Sequence, residues 1–233
     1  MQNEMMLIGS LLVVYATVLL FYKVLGKSGL YVWTAFATIT ANIEVLILVD
    51  AFGLEQTLGN ILFASTFLVT DILSETQGRE YANKAVKVGI MTNLAFIVVS
   101  RSWFYYIPNA NDWASDSIRV VFENTPRFMI VALVVYAITQ AFDVWFYHMV
   151  WEKTTKLFGD SKKGLWIRNN ASTMLSQLLN TILYTMLAFV GMYDTATLIN
   201  IMIASYIIFF VTSLVDTPVV YLARRMNKPK NNL

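Results

Sequence analysis

The sequence predicts an all-α, polytopic integral membrane bundle: seven transmembrane helices in one domain over residues 1–233, N-terminus outside and C-terminus inside. Three observations predict it. Hydrophobic residues make up 57% of the 233 positions and charged ones only 14%, where soluble domains have roughly 45–50% and about 25%. Seven apolar stretches approach the ~20 residues that cross a bilayer. Lysine and arginine gather in alternate connections between those stretches, as they do on the cytoplasmic side of membrane proteins.

The first stretch, residues 5–22, resembles a signal peptide only in length. It is preceded by Glu4, lacks a small-residue cleavage pattern, and runs into Lys23 and Lys27, so it is read as a retained helix. The second span is placed over residues 30–52 and the third over 58–73, short and closing on Asp71 and Glu75. The fourth covers 85–100, and a polar, aromatic loop follows to Arg127. The fifth, sixth and seventh cover 128–150, 171–192 and 195–222. Basic residues mark the connection after the first span (Lys23, Lys27), that after the third (Arg79, Lys84, Lys87), and that after the fifth (Lys153, Lys156, Lys162, Lys163, Arg168). They mark the tail as well (Arg224, Arg225, Lys228, Lys230). The intervening connections lack such clusters, which sets the orientation and leaves no room for a soluble domain.

Composition also excludes several activities. With no cysteine and a single histidine, His148, there is no disulfide, thiolate or multi-histidine metal chemistry. No phosphate-binding glycine loop is present. An intramembrane metal enzyme needs a carboxylate cluster at ligand spacing, and Asp71 with Glu75 alone does not provide one. The net charge of +2 argues against nucleic acid. A non-enzymatic membrane protein without cofactor or metal is expected.

Ionisable and polar residues inside spans are functional candidates because hydrocarbon penalises them by a few kcal/mol each. Here they fall on faces. Tyr136, Gln140, Asp143 and Tyr147 form one helical stripe in the fifth span; Thr173, Gln177, Asn180 and Tyr184 form another in the sixth. Ser205, Thr212 and Asp216 share a face of the seventh, two residues before Pro218, and Thr38 and Asn42 share one in the second. Hydroxyls on such faces serve as packing contacts between helices. Stripes that also carry amides and carboxylates line polar cavities. Asp71 and Glu75 are expected at the cytoplasmic mouth, where a negative helix end demands a cation: Arg79, four residues beyond Glu75, or a basic residue of another loop.

Four segments in order, FLVTDILSETQG, AITQAFDVWFYH, WIRNNASTMLSQLLNTILY and SLVDTPVVYLARR, with TANI in the second span, resemble the queuosine precursor transporter family, also called the vitamin uptake transporter family. The resemblance covers about residues 31–225. It implies a six-helix core over residues 30–225 preceded by an extra N-terminal helix at 5–22. It also implies import of 7-deazaguanine bases such as preQ0, preQ1 or queuine across the inner (plasma) membrane, gradient-driven or facilitative. A substrate-binding subunit for another heterocycle or vitamin, working with a partner ATPase, is the alternative, since the family is similar to the binding subunits of energy-coupling-factor transporters. Lipids and a second copy of the chain are the other partners considered.

By the same resemblance Asn42, Gln140, Asp143, Asn180 and Asp216 are substrate-binding positions, although the family usually has Asp where Asn180 stands. Asp71, Glu75 and Arg79 become gating or proton-coupling positions. The chemistry of the residues agrees with such a substrate. A carboxylate accepts the adjacent N1–H and amine of a guanine-like edge, and amides such as Gln177 donate to its carbonyl. Tyr136, Trp145 and Tyr147 offer rings to its face. The same inventory suits any planar, hydrogen-bonding heterocycle.

Overall fold

The computed structural model describes residues 1–123 and 126–227; Lys228 and Lys230 of the basic tail lie outside the described residues. The order is α1 (Gln2–Leu25), α2 (Lys27–Glu44), β1 (Leu48–Ala51), β2 (Leu54–Thr57), α3 (Gly59–Thr76), α4 (Arg79–Ser102), a 3₁₀ turn (Trp103–Tyr105), α5 (Ser115–Glu123), α6 (Pro126–Phe158), α7 (Leu165–Phe189) and α8 (Thr195–Met226). The seven long helices fall where the apolar stretches do. Among the described residues, four segments are long and apolar enough to cross a membrane on their own: α1, α4 with the 3₁₀ turn, α6 and α8. The inward faces of α2, α3 and α7 are rich in hydroxyls and amides.

The second span was expected to run to Phe52, but α2 stops at Glu44. The apolar run that follows is half of an antiparallel hairpin, with Leu48 paired to Thr57 and Ala51 to Leu54. A short aliphatic run carries no period that separates strand from helix. The turn decides: Phe52 and Gly53 both have positive φ, 55° and 74°, the two-residue geometry whose twist matches that of paired strands.

Hydrogen bonds between distant segments sort the connections into two ends. At one end Asn3 donates to the Asp50 carbonyl of the hairpin at 2.8 Å, and Arg127 donates to the Leu187 and Val190 carbonyls at the end of α7. At the other, the Asn227 amide donates to the Thr76 carbonyl and Arg224 to that of Lys162, while the Lys27 ammonium lies over the Tyr81 ring. The structure thus gathers the basic connections at one end of the bundle and the hairpin, the α4–α6 loop and the α7–α8 turn at the other.

Helix α3 forms the centre, buried along nearly its whole length from Ile61 to Ser74. It meets α2 where Gly59 faces the Ala41 carbonyl; a Cβ at Gly59 would stand 2.8 Å from that oxygen. Large apolar side chains such as Leu12, Val98, Ile138 and Phe210 are half exposed on the outer faces of α1, α4, α6 and α8. An apolar exterior of this extent is stable in hydrocarbon rather than water.

Candidate functional site

Polar residues excluded from the lipid face form a column along the bundle axis, in three layers. Nearest the hairpin is a cavity that opens to the outside, with about 780 Å³ of non-atom space, open solvent included. Four amides reach it, Asn42, Asn60, Asn93 and Asn180, from α2, α3, α4 and α7. Asn42 donates to Asn93 Oδ1 and to the Thr38 carbonyl, both at 2.7 Å. The Asn60 Nδ2 and the Tyr136 hydroxyl have no partner although both are buried. Phe63, Tyr136, Tyr184, Phe189 and Phe209 supply the rings of the wall. Tyr136 is pressed against α4 at Gly89, where any Cβ would collide with its hydroxyl.

The second layer is acidic. Asp71, Asp143 and Asp216, from α3, α6 and α8, are each 0% exposed. They lie within electrostatic range of one another. Thr173 donates to Asp71 Oδ2 at 2.9 Å and Ser176 to Asp143 Oδ1 at 2.7 Å. Ser176 stands one helical turn from Asn180, so this layer begins about 6 Å below the cavity floor. Gln140 lies between the two layers. Its amide donates to Thr66 at 2.6 Å, and its oxygen accepts from Thr70 at 3.3 Å. Gln177, fully buried, has neither amide atom bonded.

The third layer closes the basic end. Glu75, with a side chain 2% exposed, accepts from Arg168 Nη2 at 2.6 Å and forms an ion pair with Arg224 Nη1 at 3.0 Å. The Arg168 Nε and the Tyr147 hydroxyl also donate to it, each at 3.0 Å. Arg168 is itself fully buried; it donates to the Lys163 carbonyl and lies 4.2 Å from the Trp151 ring centre. A buried ion pair holds only when its remaining hydrogen-bonding capacity is met. Here one carboxylate and two guanidinium groups satisfy each other across α3, α7 and α8.

The structure brings Asn42, Tyr136 and Asn180 to the cavity wall, and places Gln140, Asp143, Gln177 and Asp216 deeper on the axis. Three expectations are corrected. Arg79 opens α4 and is exposed, and Glu75 takes the alternative, basic residues of other segments, Arg168 at the start of α7 and Arg224 at the end of α8. Trp145 is 48% exposed and packs on Phe142 and Phe146 at the outer surface. Two residues turn a helix by about 200°, so an inward Asp143 forces Trp145 outward. Asp71 lies inside the bundle rather than at the mouth, since α3 continues for five more residues. Tyr147 points into the axis as its stripe requires, but serves the Glu75 cluster.

Sequence reasoning missed Asn60 and Asn93 in the cavity and Arg168 in the cluster. Asn93 was visible as a lone amide within an apolar span. Asn60 resembled a helix-start residue, and Arg168 was grouped with the basic connection it adjoins.

An amide-lined axial cavity within a helical bundle of apolar exterior is the layout of a multi-pass membrane protein that handles a small solute. A family model described as "Putative vitamin uptake transporter" matches residues 57–223, and the chain belongs to that family. A protein of Bacillus subtilis (strain 168) named "Probable queuosine precursor transporter" is 37% identical over 212 residues, 91% of this chain and 90% of that protein. No solved structure matches the chain.

Proposed function

We propose that this membrane transporter imports queuosine-precursor bases of the 7-deazaguanine class, binding them in the amide-lined cavity. The observation that carries this is the convergence of four asparagines and five aromatic rings on one cavity. An asparagine carbonyl accepts an N–H of the guanine-like edge while its NH2 donates to the adjacent carbonyl. The rings hold the flat face, a contact worth about 1–3 kcal/mol per base in other systems. The similarity to the Bacillus subtilis protein supports the same substrate class.

In this reading seven helices cross the plasma membrane with the N-terminus outside. The basic end faces the cytoplasm, as the positive-inside rule requires. The cavity then opens outward, and the Glu75 cluster closes the cytoplasmic end. Transport proceeds by opening that cluster after the base is bound.

Calorimetric titration of the purified protein with matched 7-deazaguanines, guanine and an unrelated heterocycle tests the assignment. Saturable heat with the deazaguanines, lost in Asn180→Ala, is expected. Binding of none of them by folded protein overturns it. Reporters fused at residue 1 and after Leu233 are expected to report opposite sides; the same side for both overturns the topology.

A further inference from the structure

We propose that Asp71, Asp143 and Asp216, with Tyr15 of α1, form a second site that binds a proton and couples its movement to that of the solute. The inference rests on the reading of the chain as an importer, but the site lies below the base cavity and shares no residue with its wall.

Three carboxylates are buried together, and among the described residues none has an ion pair to a cation. The charged and titratable groups around them are Tyr15 on α1, Glu75 on α3, Tyr147 on α6, Arg168 on α7 and Arg224 on α8. Both arginines are already bonded to Glu75. The buried residues of α2 and α4 include no acid or base. Unscreened like charges repel strongly in a low-dielectric interior, so a positive species must balance the cluster. Its acceptors are open: Asp71 Oδ1, Asp143 Oδ2 and both Asp216 oxygens have no hydrogen-bond partner.

A second observation points to a small ligand there. Tyr15 is 3% exposed, and its hydroxyl lies against Asp216 and Thr212, with Asp71 in electrostatic range, without closing a hydrogen bond of full geometry to any of them. A side chain from the helix that precedes the family match is therefore aimed into the cluster. The proton is favoured over a metal ion because, among the described residues, no group of Asp, Glu, His or Cys is arranged to hold a metal. A proton needs only one oxygen, and the hydroxyls of Thr173, Ser176 and Tyr15 can relay it between acids. On binding, an O–H bond forms on one carboxylate; on release the proton passes to water on the far side. No redox partner is needed.

Two measurements test this. A hydrophobic carbodiimide reacts with protonated carboxyls in apolar surroundings, and peptide mass spectrometry of the purified protein locates the adduct without any base present. Labelling at one or more of the three aspartates, declining as pH rises and unaffected by excess sodium, is expected. Protection by sodium, or no labelling across the pH range, overturns the proton site. In proteoliposomes, an inward proton gradient is expected to drive base uptake by the wild type. Asp216→Asn is expected to lose about tenfold of that gradient-driven uptake, a difference of roughly 1.4 kcal/mol, while still exchanging labelled for unlabelled base at equilibrium. Tyr15→Phe is expected to lower gradient-driven uptake and leave exchange intact. Gradient-independent uptake by the wild type overturns the coupling and leaves base recognition standing. Failure of calorimetric binding removes the base assignment but not the carbodiimide result.

Discussion

The two ends of the polar column differ in kind. At the hairpin end it is neutral and open: asparagines and aromatic rings around empty space, with Asn60 and Tyr136 still unbonded. At the basic end it is charged and closed: one carboxylate accepting from an arginine and a tyrosine and ion-paired with a second arginine. Neutral amides lose little when left to water and regain it from a ligand, so they suit a site that fills and empties. Buried opposite charges hold firmly when matched and are costly when separated, so they suit a closure that stays shut until something offsets the separation.

The largest effect is expected where charges are unmatched. Arg168→Met removes the fully buried partner of Glu75 and leaves Arg224 and the Tyr147 hydroxyl to hold it; breaking a buried pair outright costs about 3–5 kcal/mol, so the loss here lies below that. A markedly lower melting temperature in detergent and loss of uptake are expected, whereas the double variant Glu75→Gln with Arg168→Met should recover part of the stability. Wild-type melting of the single variant would mean that the cluster is not holding the end closed.

At the neutral end the loss should fall on binding rather than on folding. Removing one buried partner of a hydrogen bond costs about 1–3 kcal/mol, so Asn93→Ala is expected to weaken base binding by roughly five- to a hundredfold, with a smaller loss in melting from the broken Asn42 bond. Asn180→Asp, which puts a carboxylate in the cavity wall, should retain binding and shift preference among deazaguanines. Equal melting losses at Asn93 and Arg168 would erase the contrast between the ends.

Smaller effects sharpen it. Asp194 caps α8 at the hairpin end, accepting from the Thr197 backbone N–H at 3.0 Å. That bond holds its carboxyl below the ordinary aspartate range. A lowered value in the folded state means that the cap stabilises above the ordinary aspartate pKa and fails as pH drops through the lowered one. Asp194→Ala should therefore reduce melting temperature slightly at neutral pH and not at all in strong acid. A variant whose deficit persists in acid would show that the carboxylate is not the cap. Smallest of all is Trp145→Leu: it trades one lipid-facing apolar side chain for another, so calorimetry and melting should both match wild type. Weakened binding would return Trp145 to the cavity wall.

The sequence by itself determined the helices and the sorting of charge. Periods of 3.6 residues and the alternation of basic connections are local properties, so the seven long helices and the basic end could be read directly. The stripes on α6 and α7 placed Tyr136 and Asn180 on inward faces, and the same periodicity, followed two residues on from Asp143, already turned Trp145 outward. Only the tertiary structure decided which groups meet. The partners of Glu75 lie 93 and 149 positions away, at Arg168 and Arg224, where no spacing rule reaches; Arg79 was nearer in sequence but departs on another helix. The hairpin after α2 depended on pairing and on a positive φ at Phe52, which a run of aliphatic residues does not encode. Tyr15 became part of the column only because α1 packs against α3 and α8. A hydrophobic pattern says which face turns inward; what that face finds there is settled by packing between segments far apart in the chain.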